Sequence, residues 1–249
     1  MSERSNSSKR LSATIPNTYS SSFMNHLAFI MDGNRRYAQA QNLPKTSGHQ
    51  HGLDKLFEVL RWIKDTDIKE VSVYAFSSEN WNRSKIEVDT LLSLIQSTII
   101  EQESEFHTNN VRVRFIGDLA RFSASLQKKL HDLEDKTQSN TRILNVALSY
   151  GGRAELLAAT QSILDNKEKN GSEEPLTEES FEQHLWSKDM SDPDLVIRTG
   201  GNQRLSNFFL WRCAYSELFF TDTLWPAYTR CEFDQHLADF RKIKQNYGM

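Results

Sequence analysis

Short apolar runs, each closed by a polar cluster and followed by residues at helical spacing, recur about six times along the chain. The first run, Leu27 to Met31, ends abruptly in Asp32-Gly33-Asn34, and a helix is entered through Arg35, Arg36 and Tyr37. After a break at Leu43-Pro44-Lys45 comes a glycine-flanked loop, Gly48-His49-Gln50-His51-Gly52. Leu53, Leu56, Phe57, Leu60 and Ile63 then mark a helix. Val71 to Phe76 reads as the next strand, closed by an unusually polar loop from Ser77 to Ser84. A long helix is expected from about Ile86 to His107, with Val88, Leu91, Leu92, Ile95, Ile99 and Ile100 on its apolar face and Asn109-Asn110 as its stop.

Val111 to Ile116 alternates as a strand should, and Gly117-Asp118 turns it. Leu126, Leu130 and Leu133 mark a further helix, and Arg142 to Ser149 a buried strand closing on Tyr150-Gly151-Gly152-Arg153. A helix from Ala154 to about Asn166 gives way to a charged loop, Lys167 to Pro175; Thr177 begins a helix reaching Trp186. Asp194 to Arg198 is a strand ending at Thr199-Gly200-Gly201, Ser216 to Thr221 the last strand, and Phe233 to Lys244 the last helix. Apolar strands alternating with helices imply an α/β fold, a largely parallel six-stranded sheet flanked by helices on both faces.

Composition narrows this little. A chain of 249 residues can bury the core of one α/β domain, read here as residues 23–249. Residues 1–22 contain eight serines and few large apolar side chains, so a disordered tail is expected there. The net charge of −3 argues against a protein that wraps nucleic acid. No apolar run approaches the roughly 18 residues needed to span a bilayer. Cys213 and Cys231 lack any CxxC or Cys/His spacing and read as reduced thiols of an intracellular protein.

The chemistry gathers where strands end, which in a parallel sheet is one rim and the usual ligand site. Gly33 permits a positive φ, Asn34 can cap the following helix, and a helix start offers free N–H groups to an anion. Arg35 and Arg36 add guanidinium groups, which match phosphate oxygens in pairs. A carboxylate, Asp32, amid an anion site is accounted for by Mg²⁺ shared with a diphosphate. From this stretch alone, an ordinary strand-to-helix turn with solvated arginines remains open. Arg36, Arg83, Arg198 and Arg204 around Asp32, with Ser206 beside the last, would form a cationic pocket with a metal ligand. Gly151-Gly152 reads as a tight turn, Arg153 as solvated, and Trp81 as an aromatic in a polar setting. No GxGxxG or GxxxxGK[ST] is present.

These residues resemble the cis-prenyltransferases, the family of undecaprenyl diphosphate synthase and dehydrodolichyl diphosphate synthase. The similarity runs through His26, Ala28 and Ile30-Met31-Asp32-Gly33-Asn34, through Tyr74 to Arg83, and through Arg112, Arg114 and Ile116-Gly117-Asp118. It continues through Asn145, Tyr150 to Arg153, Asp194 to Gly201, Arg204, Ser206-Asn207-Phe208, Glu217-Leu218 and Leu224-Trp225-Pro226.

The resemblance implies an enzyme that extends an allylic diphosphate, farnesyl diphosphate, with isopentenyl diphosphate units joined in cis, giving a polyprenyl diphosphate for dolichol-type carriers. It implies that Asp32 holds Mg²⁺ on the allylic diphosphate while Gly33, Asn34, Arg35, Arg36, Tyr37, Lys45 and His49 cradle it. Arg198, Arg204, Leu205 and Ser206 would meet the second diphosphate. Asn80 matches the proton-acceptor position, flanked by Ser77, Ser78, Glu79, Trp81 and Arg83, and Glu217 matches a second metal-contacting carboxylate.

The chain departs from the pattern at Arg35, where bacterial members carry glycine; at Asn202 and Gln203, where they carry an acid and a histidine; and at Asn246-Tyr247-Gly248, which stands for a terminal Arg-x-Gly. The resemblance implies a homodimer in which Gly248 reaches the neighbouring subunit's site. Alternatives are a catalytic subunit that borrows this motif from a homologous accessory chain, or the accessory chain itself. A tunnel between the sheet and the helices at 86–107 and 123–139 would hold a product of roughly ten to twelve isoprene units. Such a product places the enzyme in the cytoplasm at a membrane surface, that of the endoplasmic reticulum if the organism is eukaryotic.

Overall fold

The computed structural model describes residues 24–44, 47–170 and 175–243. The expected tail at 1–22 lies outside the described residues. So do Lys45 and Asn246-Tyr247-Gly248.

Six strands form one sheet: β1 (His26–Ile30), β2 (Glu70–Ser77), β3 (Val111–Ile116), β4 (Arg142–Tyr150), β5 (Leu195–Arg198) and β6 (Glu217–Phe220). Their order is β3-β4-β2-β1-β5-β6 and every pairing is parallel. The connection from β1 leads to β2 on one side, and that from β5 to β6 on the other. A crevice therefore opens beyond the carboxyl ends of β1 and β5, the position where such sheets bind ligands.

Alternation along the strands sorts the core into two faces. Leu27 and Phe29, Val71 and Val73, Val111 and Val113, Leu144 and Leu148 point to one face. There they meet α2 (Ser47–Ile63), α3 (Lys85–Glu101), α4 (Glu103–Thr108), α5 (Ala124–Thr137) and α8 (Arg230–Phe240) through Leu56, Val88, Phe106, Leu130 and Phe233. Ala28, Ile30, Ala147 and Val196 point to the other, which packs on Phe208, Phe209 and Met190. α6 (Gly152–Asn170) begins on that side, its buried Glu155 bonded by Tyr150, and α7 (Glu178–Glu182) follows it. The short α1 (Asn34–Ala40) joins β1 to α2.

Several expectations are corrected. The helix begun at Thr177 ends at Glu182 and does not reach Trp186, and α6 runs on to Asn170 through the start of the expected charged loop. The segment from Gly48 to Gly52 is not a loop but the start of α2. A Cβ on Gly48 would lie 2.1 Å from the Asn34 carbonyl oxygen, and one on Gly52 2.3 Å from Asn34 Oδ1. The glycines, one turn apart on one helix face, let α1 lie against α2. The helix expected over 86–107 is interrupted at Gln102 (φ −103°, ψ 2°), and after the break α4 turns Phe106 into the core beside Phe57, ring centroids 5.8 Å apart. The last helix starts a turn before Phe233, because Thr229 and Glu232 cap one another at Arg230.

β2 and β4 each carry one extra residue near the rim. Pairing passes from Tyr74 with Ala147, to Phe76 with Leu148, to Ser77 with Tyr150, so Ala75 and then Ser149 are skipped. Ser149 adopts a positive φ of 50°.

At the other end of the sheet, buried His26 joins three strands to the segment before β5. Its Nδ1 donates to the Ser191 carbonyl (2.7 Å), since a carbonyl can only accept, which leaves Nε2 to accept from Ser72 Oγ (2.7 Å). Asn145 donates to Ser72 and Glu70, and Glu70 also accepts from Ser191 Oγ. The Asp194 carboxylate accepts the main-chain N–H groups of Asn25 and His26 at 2.8 Å each.

Candidate active site

Asp32 follows β1 directly and its main chain is fixed from three sides. Thr199 Oγ1 accepts the Asp32 N–H (3.1 Å) and donates to its carbonyl (2.8 Å), which also accepts Trp225 N–H. The carboxylate then meets two cations and an amide. Oδ2 accepts Arg198 Nη2 and Asn202 Nδ2, both at 2.9 Å, and Oδ1 accepts Arg36 Nη2 at 3.2 Å. Burial on its own would raise this carboxyl's pKa; Asn202, Arg198 and Arg36 outweigh it and hold the group below the usual carboxylate range.

Arg198, the last residue of β5, is buried, with 5% of its side chain exposed. Its Nη1 donates to the Arg204 carbonyl and to Ser206 Oγ (2.6 Å), and Arg204 Nε reaches the same hydroxyl at 3.3 Å. One guanidinium thus ties the end of β1 to the loop after β5. Leu205, within that loop, packs into the apolar cluster around Phe208.

Gly33, at φ 114°, turns the chain into α1; a Cβ there would lie 2.9 Å from Leu224 Cα. It takes the cap position, so Asn34 is the first helical residue and not the cap that its side chain suggested. Beyond it, Glu87 collects two arginines, Arg83 at 2.7 Å and Arg35 at 3.5 Å. His49 lies close to this group. Its Nε2 is buried without a hydrogen-bond partner among the described residues, and burial, with Arg83 and Arg35 nearby, keeps its pKa low and the ring neutral. Tyr37 packs on His51, ring centroids 5.6 Å apart.

The loop after β2 forms a short 3₁₀ turn, Ser78–Asn82, closed by the Ser77 N–H donating to Asn80 Oδ1 (3.2 Å). Trp81 reconciles apolar packing with a polar setting: it meets Phe76 edge to face and Phe122 at a tilt while Nε1 donates to Ser149 Oγ at 2.9 Å. Asn207 connects three rim loops. It donates to Glu79 (2.9 Å), accepts from Arg153 N–H (2.8 Å) and from Gly152 N–H through its carbonyl (2.7 Å). Gly152 opens α6 directly after β4, as a tight turn requires, and the Arg153 side chain is exposed.

The structure therefore gathers Asp32, Arg36, Arg198, Arg204 and Ser206 into one bonded set. Arg35, His49 and Arg83 form a second, and Ser77 to Trp81 line the same rim. Glu217 is elsewhere: it opens β6, paired with Leu195, at the end of the strands opposite Arg198 and Asp32. Within one chain the two carboxylates do not form a joint metal site. Sequence reasoning gave no role to Asn202, Thr199, Asn207 or Glu87; the first three had only a place in polar strand-end loops as a signal, and Glu87 only a place in the first turn of α3.

No set of three or more His, Cys, Asp or Glu side chains that could hold a metal occurs among the described residues. Asp32 is a lone carboxylate with cations on its other sides. That donor set fits a Mg²⁺ completed by substrate phosphate oxygens and water, the usual manner of Mg²⁺, and not a cage made of protein alone.

Comparison with known proteins bears on the family. Residues 30–248 match the family model described as putative undecaprenyl diphosphate synthase. The ditrans,polycis-undecaprenyl-diphosphate synthase ((2E,6E)-farnesyl-diphosphate specific) of Pasteurella multocida is 39% identical over 225 residues, covering 90% of this chain and 94% of that protein. An isoprenyl transferase of Aquifex aeolicus is 41% identical over 224 residues, covering 90% and 95%. Lavandulyl diphosphate synthase from Lavandula x intermedia, solved with dimethylallyl diphosphate, matches with a TM-score of 0.86 at 32% identity over 91% of this chain and 98% of that one. A probable undecaprenyl diphosphate synthase from Campylobacter jejuni gives 0.76 at 34% identity over 91% and 99%. A parallel sheet with its arginines and one carboxylate at the β1/β5 crevice, matched along nearly its whole length, places this chain in the undecaprenyl diphosphate synthase family of prenyltransferases.

Proposed function

We propose that the protein condenses isopentenyl diphosphate onto farnesyl diphosphate in successive cis additions, to a polyprenyl diphosphate of roughly ten to twelve isoprene units for dolichol-type carriers. The observation that carries this reading is the Asp32–Arg198 pair, which has Arg36 on one side and Arg204 with Ser206 on the other. Two diphosphates can be received on either flank of one carboxylate.

On the α1 flank, Arg36, Arg35 and the main chain of Gly33 and Asn34 receive the allylic diphosphate, with neutral His49 and Tyr37 beside them and Lys45 assigned from the family pattern. On the β5 flank, Arg198, Arg204, Leu205 and Ser206 receive isopentenyl diphosphate. Mg²⁺, held by Asp32 and the allylic diphosphate, would neutralise charge on the leaving group. A joint role for Glu217 at that metal would require a second subunit. Asn80 is an amide and a poor base, and its Oδ1 already accepts an N–H. It positions the departing proton, which a diphosphate oxygen takes, while Ser77, Ser78, Glu79, Trp81 and Arg83 shape that part of the rim.

Support for the tunnel comes from apolar side chains left only partly buried on the α3 face: Ala75, Phe115 and Val146 on the strands, Leu92 and Ile95 on α3. Support for a homodimer comes from exposed leucines on the opposite face, Leu157 (72%) and Leu164 (56%) on α6 and Leu218 (39%) on the edge strand β6. The Gly248 N–H would serve the neighbouring subunit. No helix among the described residues is long and apolar enough to cross a membrane. A product this apolar would leave water for a membrane, which the protein would meet by peripheral contact.

Purified protein, given farnesyl diphosphate, labelled isopentenyl diphosphate and Mg²⁺, should elongate without help. Activity that appears only after a homologous partner is added rules out the homodimer in favour of a heteromer. No elongation under either condition leaves the accessory-subunit reading. Chromatography reads the length, and a product that stops after one addition, or runs well past the stated range, removes the tunnel argument.

A further inference from the structure

Arg112 and Arg114 carry part of the family resemblance, yet nothing in the proposed reaction uses them. They sit on β3, an edge strand, and point away from the α3 face, which Val111, Val113 and Phe115 fill. Side chains two residues apart on a strand stand roughly 7 Å from each other on one face. Here they form one wall of a groove of about 250 Å³. The other walls are His131, Glu134, Asp135 and Gln138 of α5 and the segment from Trp186 to Met190.

The charges in this groove are unevenly spent. Arg114 donates to the Asp189 carbonyl at 2.6 Å and so braces the far wall. Glu134 accepts the Phe115 N–H at 2.7 Å, and His131 lies 3.8 Å from both Glu134 and Asp135. Arg112 is half-buried and has no hydrogen-bond or ion-pair partner among the described residues. Glu134, Asp135 and Asp189 share the lining but none pairs directly with Arg112, and holding a guanidinium partly out of water without a direct partner is unfavourable unless something pairs with it. A second orphan lies in the same lining. Ser187 is 1% exposed, and its hydroxyl has no partner among the described residues, although its N–H and carbonyl are both bonded. Trp186, only partly buried, is the aromatic member of that wall, and Met190 behind it belongs to the core.

We propose that this groove binds a small carboxylate with a flat apolar body, its anionic group paired with Arg112 and its body against Trp186. A volume below that of drug-sized pockets limits the ligand to a small metabolite. The groove lies at the β3 edge, beside α5, and shares no residue with the set around Asp32.

The test uses full-length protein labelled with ¹⁵N in its five tryptophans, the Trp186 indole signal assigned by Trp186→Phe. Benzoate is the probe and benzamide its uncharged counterpart. Benzoate should shift the Trp186 signal saturably and benzamide should not. Arg112→Gln, or Arg112→Met should the first variant fail to fold, should weaken benzoate binding about tenfold or more, as loss of a hydrogen bond to a charged group does. Asp32→Asn should leave it unchanged. The proposal is overturned if Trp186 does not respond, if benzamide or either Arg112 variant behaves like benzoate with the wild type, or if Asp32→Asn abolishes the shift and so places the probe at the diphosphate site.

Discussion

Asp32 works at two levels, because the bonds that would orient it toward a metal also balance a buried cation. Replacing it by alanine removes the only carboxylate bonded to Arg198 among the described residues. Turnover should drop at least ~100-fold, as when a main electrostatic contact of a transition state is deleted. Stability should fall by about 1–3 kcal/mol, less than for a fully buried pair because 29% of the Asp32 side chain is exposed. The domain should remain folded, and circular dichroism melts alongside the elongation assay separate the two effects. Wild-type turnover would remove Asp32 from the mechanism. The exposed Arg36 contact contributes little to folding, so Arg36→Ala should affect substrate affinity more than the melting point.

At the scale of elements, the α1–α2 contact shows why the sequence was misread at one point. Glycine lowers helix propensity, and two glycines around His49 suggested a loop; the reason for them is a close approach to Asn34 that only a three-dimensional neighbour reveals. Gly48→Ala therefore sets about 1 kcal/mol of gained propensity against an overlap with backbone oxygen. Overlap should win by about 1–3 kcal/mol and displace Asn34. A rise in melting temperature for Gly48→Ala would show that the helices can separate at little cost. Strands were legible throughout, the central ones because buried parallel strands are nearly continuously apolar and the edge strand β3 because it alternates. The break at Gln102 left no trace in that pattern, and Glu217 fell at the wrong strand end because a motif gives order along the chain and not the direction of the strand that carries it.

The His26 cluster binds β1, β2 and β4 to the segment that feeds β5, and it responds to pH. Burial lowers the His26 pKa against the opposing pull of Glu70, so the folded state keeps the ring neutral. The stability this provides is complete above the unfolded value of about 6.5 and is lost as pH falls through the lower folded value. Melting temperature should thus decline from neutral pH into mild acid, and His26→Gln should flatten that slope. An unchanged slope in the variant assigns the decline to other groups.

For the molecule as a whole, the proposed reaction would gather diphosphates at one rim and lay hydrocarbon along the depth of the sheet, so chemistry and product length should vary separately. Ala75 sits on β2, only partly buried toward α3. Ala75→Phe should shorten the products seen by chromatography while leaving the first condensation within about threefold of the parent, since a side chain away from the charged rim costs the chemistry little. An unaltered distribution would place the growing chain elsewhere.

The paired extra residues, Ala75 on β2 and Ser149 on β4, bear on how such a rim can change by insertion and deletion. Losing one alone would slide the loop after β2 against the loop after β4 by one residue, about 3.3 Å. Trp81 would be drawn off Ser149, and Ser78 off the space that Gly151 leaves for it. Losing both would restore the alignment. Length at these two places is then inherited as a pair: lineages that gain or lose a residue in one strand should carry a matching change in its neighbour, although the two lie far apart in the gene.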